Sequence, residues 1–286
     1  MLKWVFIVIK MIRKWSKSTA GKVSIIMFVI SVILLLISGS TIESDLMSER
    51  SANFVNNILI GISTNLIGII VTVSFVQFFL DKQDEKEKRI DEIKTIKRYD
   101  RYMQTLLRRY FRFYIIVTTR LEDRNAAYKI DYFKHEFKFS DIADMYQSTP
   151  YLSEGIFETS IELFYRAEEN IRNYMLKMLE NIDFKYNEEL ESILQDFITK
   201  SVDFDMRGQI LGAPNTVTEK NQKLSEFVSQ NISDESIDWI GQFQNNELKG
   251  NIMLPYILFF YNIQEQRDIL KKYFDYLKKI DTYEDK

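Results

Sequence analysis

The chain has 286 residues, 46% of them hydrophobic, with 38 basic and 41 acidic side chains and a formal net charge of −3. Cysteine is absent and histidine occurs once, as His135. Disulfides, thiol catalysis and Cys-ligated metals are therefore excluded, and so is a di-iron bundle, which needs a Glu-x-x-His from each of two helices.

Only 3 Pro and 9 Gly interrupt the chain, which favours long helices. The excess of Ile, Lys, Asn, Phe and Tyr points to an AT-rich bacterial genome.

Residues 1–21 read as a basic amphipathic segment. Lys3, Lys10, Arg13, Lys14 and Lys17 share one helical face, and Trp4, Val5, Val8, Met11, Ile12 and Trp15 lie opposite. That moment suits a helix lying in the interface of an anionic leaflet. Residues 22–80 follow as a transmembrane hairpin, with spans at about 22–40 and 57–80. A bilayer core of about 30 Å needs about 20 helical residues, and both runs reach that length. A cleaved signal peptide fits less well, because the lead before the apolar core and the core itself are both long for one.

Within the first span Ser24, Ser31 and Ser38 recur every seven residues on one face. In the second, Gly61, Thr64, Asn65, Gly68 and Thr72 fall within about 100° of helical arc. Small residues let helices approach closely, and an Asn in hydrocarbon seeks a partner. The expected role of this stripe is to pack the two spans of one chain together, with self-association of hairpins as the alternative.

Residues 81–125 read as a coiled-coil-like stalk, continuous with the second span as one helix over residues 57–124. Its apolar residues Ile93, Ile96, Met103, Leu107, Tyr110, Tyr114, Val117 and Leu121 follow a 3-4 spacing broken at Asp100, which is a heptad seam. On the other side Lys94, Arg98, Arg101, Arg108, Arg109 and Arg112 share an arc of about 100°. Arginine forks suit phosphates, so this stripe is a candidate anion site. The alternative is internal docking. Residues 126–286 carry a balance of −11, and Glu154, Glu158, Glu162, Glu168, Glu169 and Glu180 follow in the next segment. An acidic bundle resting on a basic helix accounts for both charges without a ligand, and this is the expectation adopted.

Residues 126–286 read as that acidic cytoplasmic helical bundle. Helices are expected at 140–144, 153–181, 187–200, 216–232, 234–242 and 251–280, with residues 208–214 as the strongest loop. The apolar core of the last helix is too short for a third span.

No nucleotide-binding, hydrolase or metalloprotease motif occurs, and no catalytic, cofactor-binding or metal residue is expected. His135, among lysines and aromatics with no nucleophile nearby, is expected to be a packed or surface residue. The fold expected is thus all-α: a two-helix transmembrane hairpin, a stalk helix and a helical bundle.

The function expected is that of a non-enzymatic membrane-anchored scaffold, sensor or effector assembling through its spans and stalk. The alternatives are an oligomeric membrane-disrupting effector or small channel lined by Thr64, Asn65 and Thr72, and a regulator binding a phosphate-bearing ligand on the arginine stripe. Expected partners are the bilayer, further copies of the chain and a protein partner; nucleic acid is not expected.

Residues 1–22 hold six bases and no acid, and residues 81–125 balance at +4, whereas the turn has Glu43, Asp45 and Glu49 against Arg50. The positive-inside rule then places both termini of a two-pass protein in the cytoplasm of a bacterial inner membrane. Reporter fusions near residues 10, 130 and 286 should give cytoplasmic signals and one near residue 47 an external signal. An external signal at 286 would refute the hairpin.

Overall fold

A computed structural model describes residues 19–41, 49–148, 158–203, 205–237 and 252–284. The expected interfacial helix over residues 1–17 and the turn residues Glu43 and Asp45 lie outside these. The chain is mostly helical, with no strand among the described residues. It forms two compact units, Met1–Arg89 and Ile90–Lys286.

The first unit holds α1 (Thr19–Thr41) and the N-terminal part of α2 (Glu49–Val117). Both are long and apolar enough to cross a membrane, with mean hydropathy 2.5 over Gly21–Ser38 and 2.1 in the apolar part of α2. They meet along serines. Ser31 and Ser63 are fully buried, their hydroxyls 2.8 Å apart, and Ser63 Oγ donates to the Ser31 carbonyl at 2.7 Å. Seven residues on, Ser38 Oγ donates to Asn56 Oδ1. The two contacts run antiparallel, because advancing from Ser31 to Ser38 on α1 moves back from Ser63 to Asn56 on α2.

The α2 side of this seam is Ala52, Asn56, Leu59, Ser63, Leu66, Ile70, Ser74 and Gln77, all buried or half-buried. That 3-4 spacing gathers them within about 80° of arc.

The second unit is a helical bundle. Residues 90–117 of α2 pack with α3 (Ser160–Asn181), α4 (Glu188–Val202) and α7 (Leu254–Glu284). The shorter α5 (Arg207–Gly212) touches α3 and α7, and α6 (Leu224–Asn231) rests on 3-10 turns at Ala213–Asn215 and Phe139–Asp144. The expected seam is the core: Ile93, Ile96, Met103, Leu107, Tyr110, Tyr114 and Val117 are each at most 4% exposed. The seam is thus used inside the chain, and the contact boundary lies at residues 89/90. Residues 90–117 belong with the bundle, not with a free stalk that could pair with another copy. Asp100, the exception in the seam, is half-buried and accepts from Tyr273 Oη at 2.7 Å and Gln104 Nε2 at 3.0 Å.

Several boundaries differ from those expected. The long helix ends at Val117, where Thr118 turns its hydroxyl back onto the Tyr114 carbonyl, and Leu121 is exposed in the following 3-10 turn. α3 starts at Ser160 because Thr159 and Glu162 form a reciprocal capping box on extended backbone, so no helix from residue 153 runs through it. Residues 208–214, read as loop, lie within α5 and a 3-10 turn at Ala213–Asn215 that together bury Ile210 and Ala213. Residues 216–223, read as helix, make a bridged turn with Asn221 at φ 60°, a conformation Asn tolerates. Helix is confined there to α6.

The absence of cysteine offers a direct check of the span register. Paired substitutions Ser31→Cys and Ser63→Cys should give an intramolecular disulfide under mild oxidation, since the two side chains touch. Ser31→Cys with Asn65→Cys should not. The reverse pattern, read from gel mobility, would place a different face of α2 against α1.

Candidate functional site

Three features of the structure bear on function: a face of the apolar part of α2, the outward face of its C-terminal part, and a buried polar cluster in the bundle.

The expected packing stripe is divided. Ser24, Ser31 and Ser38 of α1 are buried at 2%, 0% and 3% exposure, as a contact face requires. Gly61, Thr64, Asn65, Gly68 and Thr72 do not meet them; all five are exposed. An added Cβ at Gly61 or Gly68 would have nothing within 4 Å. The reason is angular. Helical geometry centres the roughly 100° arc of these five about 170° from the seam through Ala52 and Ser63, so the seam and the stripe cannot both face α1. Thr64 and Thr72 satisfy their hydroxyls on the Ile60 and Gly68 carbonyls, at 2.7 and 2.9 Å. The intrachain role expected for this stripe is therefore corrected: it faces away from α1.

The docking expectation for the arginines is corrected as well. Arg98, Arg101, Arg108, Arg109 and Arg112 are all exposed, and none is ion-paired to a carboxylate among the described residues. Lys94 lies only 3.8 Å from Asp91, one turn back. The glutamates expected to meet them are engaged locally. Glu158 pairs with Arg166, Glu162 caps α3, Glu169 pairs with Arg172, and Glu168 turns inward to Arg207. Glu180 is exposed, and Glu154 lies outside the described residues.

The row is thus unneutralised, and its like-charge i,i+3 and i,i+4 pairs cost about 0.2–0.5 kcal/mol each. Tyr102, 55% exposed, lies edge-on to Tyr174 of α3 at 4.9 Å, and the Arg98 guanidinium lies 5.8 Å from the Tyr99 ring.

The third cluster had no sequence signal beyond a glutamate on a helix. Glu168, 3% exposed, accepts from Arg207 Nη2 of α5 at 2.9 Å and from Gln266 Nε2 of α7. Gln266 Oε1 accepts from Tyr110 Oη of α2 at 2.7 Å. The Arg207 guanidinium lies 4.9 Å from the Tyr165 ring, and its buried Nε, 4.0 Å from Asp205 Oδ1, has no hydrogen-bond partner among the described residues.

A cavity of about 10 Å³ adjoins Glu168, lined also by Ser201, Asp205, Asn262 and Gln266. It has room for about one water. Burial is the largest influence on the Glu168 carboxyl and raises it from 4.5 to about 7, against the Gln266 and Arg207 contacts, which favour the anion.

His135 is half-buried, stacked on Phe137 at 5.7 Å, with Nε2 2.9 Å from Thr118 Oγ1; burial lowers its pKa. Among the described residues no three His, Cys, Asp or Glu side chains come together as a metal site. Glu189 is taken by Lys279 at 2.9 Å and Glu191 by Gln195 at 3.3 Å, so the acidic start of α4 does not converge with Glu168 and Glu169.

No family model matches the chain. No curated protein and no solved structure matches it either.

The Glu168 shift has a pH signature. Between 4.5 and about 7 the folded chain keeps a proton that the unfolded chain loses. This group's contribution to stability is therefore full below 4.5 and declines as pH rises to 7, by about 3 kcal/mol in all. Thermal unfolding of the full chain in detergent should show this decline between pH 5 and 7.5, beyond that of Glu168→Gln. Parallel pH profiles for the two chains would show that Glu168 does not carry a raised pKa.

Proposed function

We propose that the chain is a two-pass bacterial inner-membrane protein, both termini cytoplasmic, that self-associates through its second span. It acts as a non-enzymatic anchor presenting its helical bundle to a protein partner. The observation that carries this reading is the open Gly61, Thr64, Asn65, Gly68 and Thr72 face on an apolar helix whose opposite face is already taken by α1. Asn65 is exposed there without a hydrogen-bond partner among the described residues. In hydrocarbon an unpaired amide is costly, and a second copy of the same face supplies both its donor and its acceptor. The glycines remove the bulk that would hold the helices apart.

A water-filled pore lined by this face is a weaker reading. Thr64 and Thr72 turn their hydroxyls onto their own helix, which leaves one amide per copy facing outward. That is little polar lining for a channel and enough for a close helix pair.

Asn65→Leu and Gly68→Leu should each weaken association in detergent about 5- to 30-fold, the equivalent of roughly 1–2 kcal/mol per interhelical contact. Ile69→Leu, off the face, should leave it unchanged. Light scattering across a dilution series reads the difference, and equal behaviour of all three variants would mean the stripe contacts lipid alone.

A further inference from the structure

We infer that the outward face of α2 over residues 94–112 is a binding track for the phosphate backbone of single-stranded nucleic acid. This goes beyond self-association of the spans and uses none of their residues. The sequence expectation against nucleic acid rested on the arginines being docked on the acidic bundle, and they are not.

Four observations point to phosphate. The first is composition. The chain has 24 Lys and 14 Arg, yet the five bases from residue 98 to residue 112 are all Arg. Guanidinium forks bind phosphate oxygens bidentately, as an ammonium cannot.

The second is the absence of acid. Asp100 is the single carboxylate between residues 98 and 112, and it faces inward, bound to Tyr273 and Gln104. The outward face is left with one sign of charge over about 21 Å of helix.

The third is the lack of neutralisation. Neighbouring like charges destabilise a helix, and the five guanidinium groups face solvent with no carboxylate among the described residues.

The fourth is Tyr102. It lies within one turn of Arg98 and Arg101, is 55% exposed, and is steadied by the Tyr174 ring. A half-exposed ring beside a cationic row is a stacking platform for a base.

A bilayer surface fits this face less well. Leaflet binding by a basic helix relies on apolar side chains that enter the headgroup layer, whereas the outward arc here holds Thr105 among the bases. A duplex would leave Tyr102 unused, because its bases are already stacked.

The test uses the full chain in neutral detergent, titrated into a fluorescent 20-nucleotide single strand of mixed sequence. The probes compared with it are the same sequence as a duplex, inorganic polyphosphate, and vesicles of phosphatidylglycerol. Single-strand binding should be salt-sensitive. The variant Arg101→Gln with Arg108→Gln and Arg109→Gln should weaken it at least 10-fold and reduce the log–log salt slope by about 2, at about 0.7 per phosphate contact. Tyr102→Leu should weaken single-strand binding several-fold and leave polyphosphate binding unchanged. Lys220→Gln with Lys223→Gln, exposed bases elsewhere, should have no effect.

Because the substituted side chains are exposed and their loss only relieves like-charge repulsion, the melting temperature should not fall, and this separates lost binding from lost fold. Equal affinity for polyphosphate and single strand, preference for duplex or vesicles, or no difference between the arginine and lysine variants would each overturn the inference.

Discussion

Glu168 brings a carboxylate into the bundle with 3% of its surface exposed, and the surrounding helices are arranged to satisfy it. Arg207 reaches it from α5 and Gln266 from α7, and the second hydrogen-bonding atom of Gln266 is taken by Tyr110 of α2. A buried carboxylate that loses its partner costs about 3–5 kcal/mol, so these helices are not free to slide or rotate independently. Two further contacts act in the same sense. Tyr273 of α7 binds Asp100 of α2, and Tyr276 binds Asn187, which in turn donates to Glu92. Glu92, Asp100 and Tyr110 thus follow one another along α2 while their α7 partners run backwards from Tyr276 to Gln266.

This polar ladder fixes the rotation of α2 within the bundle. Tyr110 and Asp100 must face α7, and the apolar positions Met103, Leu107 and Tyr114 on the same side go with them. Helical geometry leaves the arc centred on Lys94, Arg101 and Arg112 about 150° away. The outward arginines are a consequence of what faces inward. An apolar seam alone tolerates a modest rotation, since packing of this kind is non-directional; hydrogen bonds near 2.7 Å do not. The same logic holds in the first unit, where Ser31 against Ser63 sets which face of α2 meets α1 and so which face is left over.

Much of this was legible in the sequence because period is a strong signal. The two apolar runs are legible from length and hydropathy and form α1 and the first part of α2; the heptad seam from Ile93 to Val117 and the arc of arginines are legible from spacing, and the structure places each of these two on one face. Spacing did not say what those faces would meet. The stripe through Gly61 and Gly68 and the seam through Ala52 and Ser63 are both regular, and choosing between them needs the partner. The partner is set by Ser31 and Ser38, whose hydroxyls find Ser63 and Asn56. Asp100 looked like a defect in the seam and is a rung of the ladder. Glu168 looked like one more surface acid beside Glu169, because its neighbours Arg207 and Gln266 lie 39 and 98 residues away. No local pattern reports an interaction of that range.

The docking expectation treated charge as a property of whole segments, +4 against −11, whereas the acids expected to meet the arginines are used one at a time, several of them close to home. Glu162 closes a capping box, Glu158 holds Arg166 and Glu169 pairs with Arg172. Each is a short-range arrangement that a long-range segment balance cannot reveal, and exposed pairs of this kind contribute only about 0–1 kcal/mol. Drawing five arginines and as many carboxylates into a dry contact would have cost more in desolvation than it returned. The bundle instead puts apolar and tyrosine-rich surface against the inner face of α2 and leaves the guanidinium groups in water. A charge imbalance between two segments of one chain therefore need not be resolved by contact between them, and here the basic face stays available to an anion from outside.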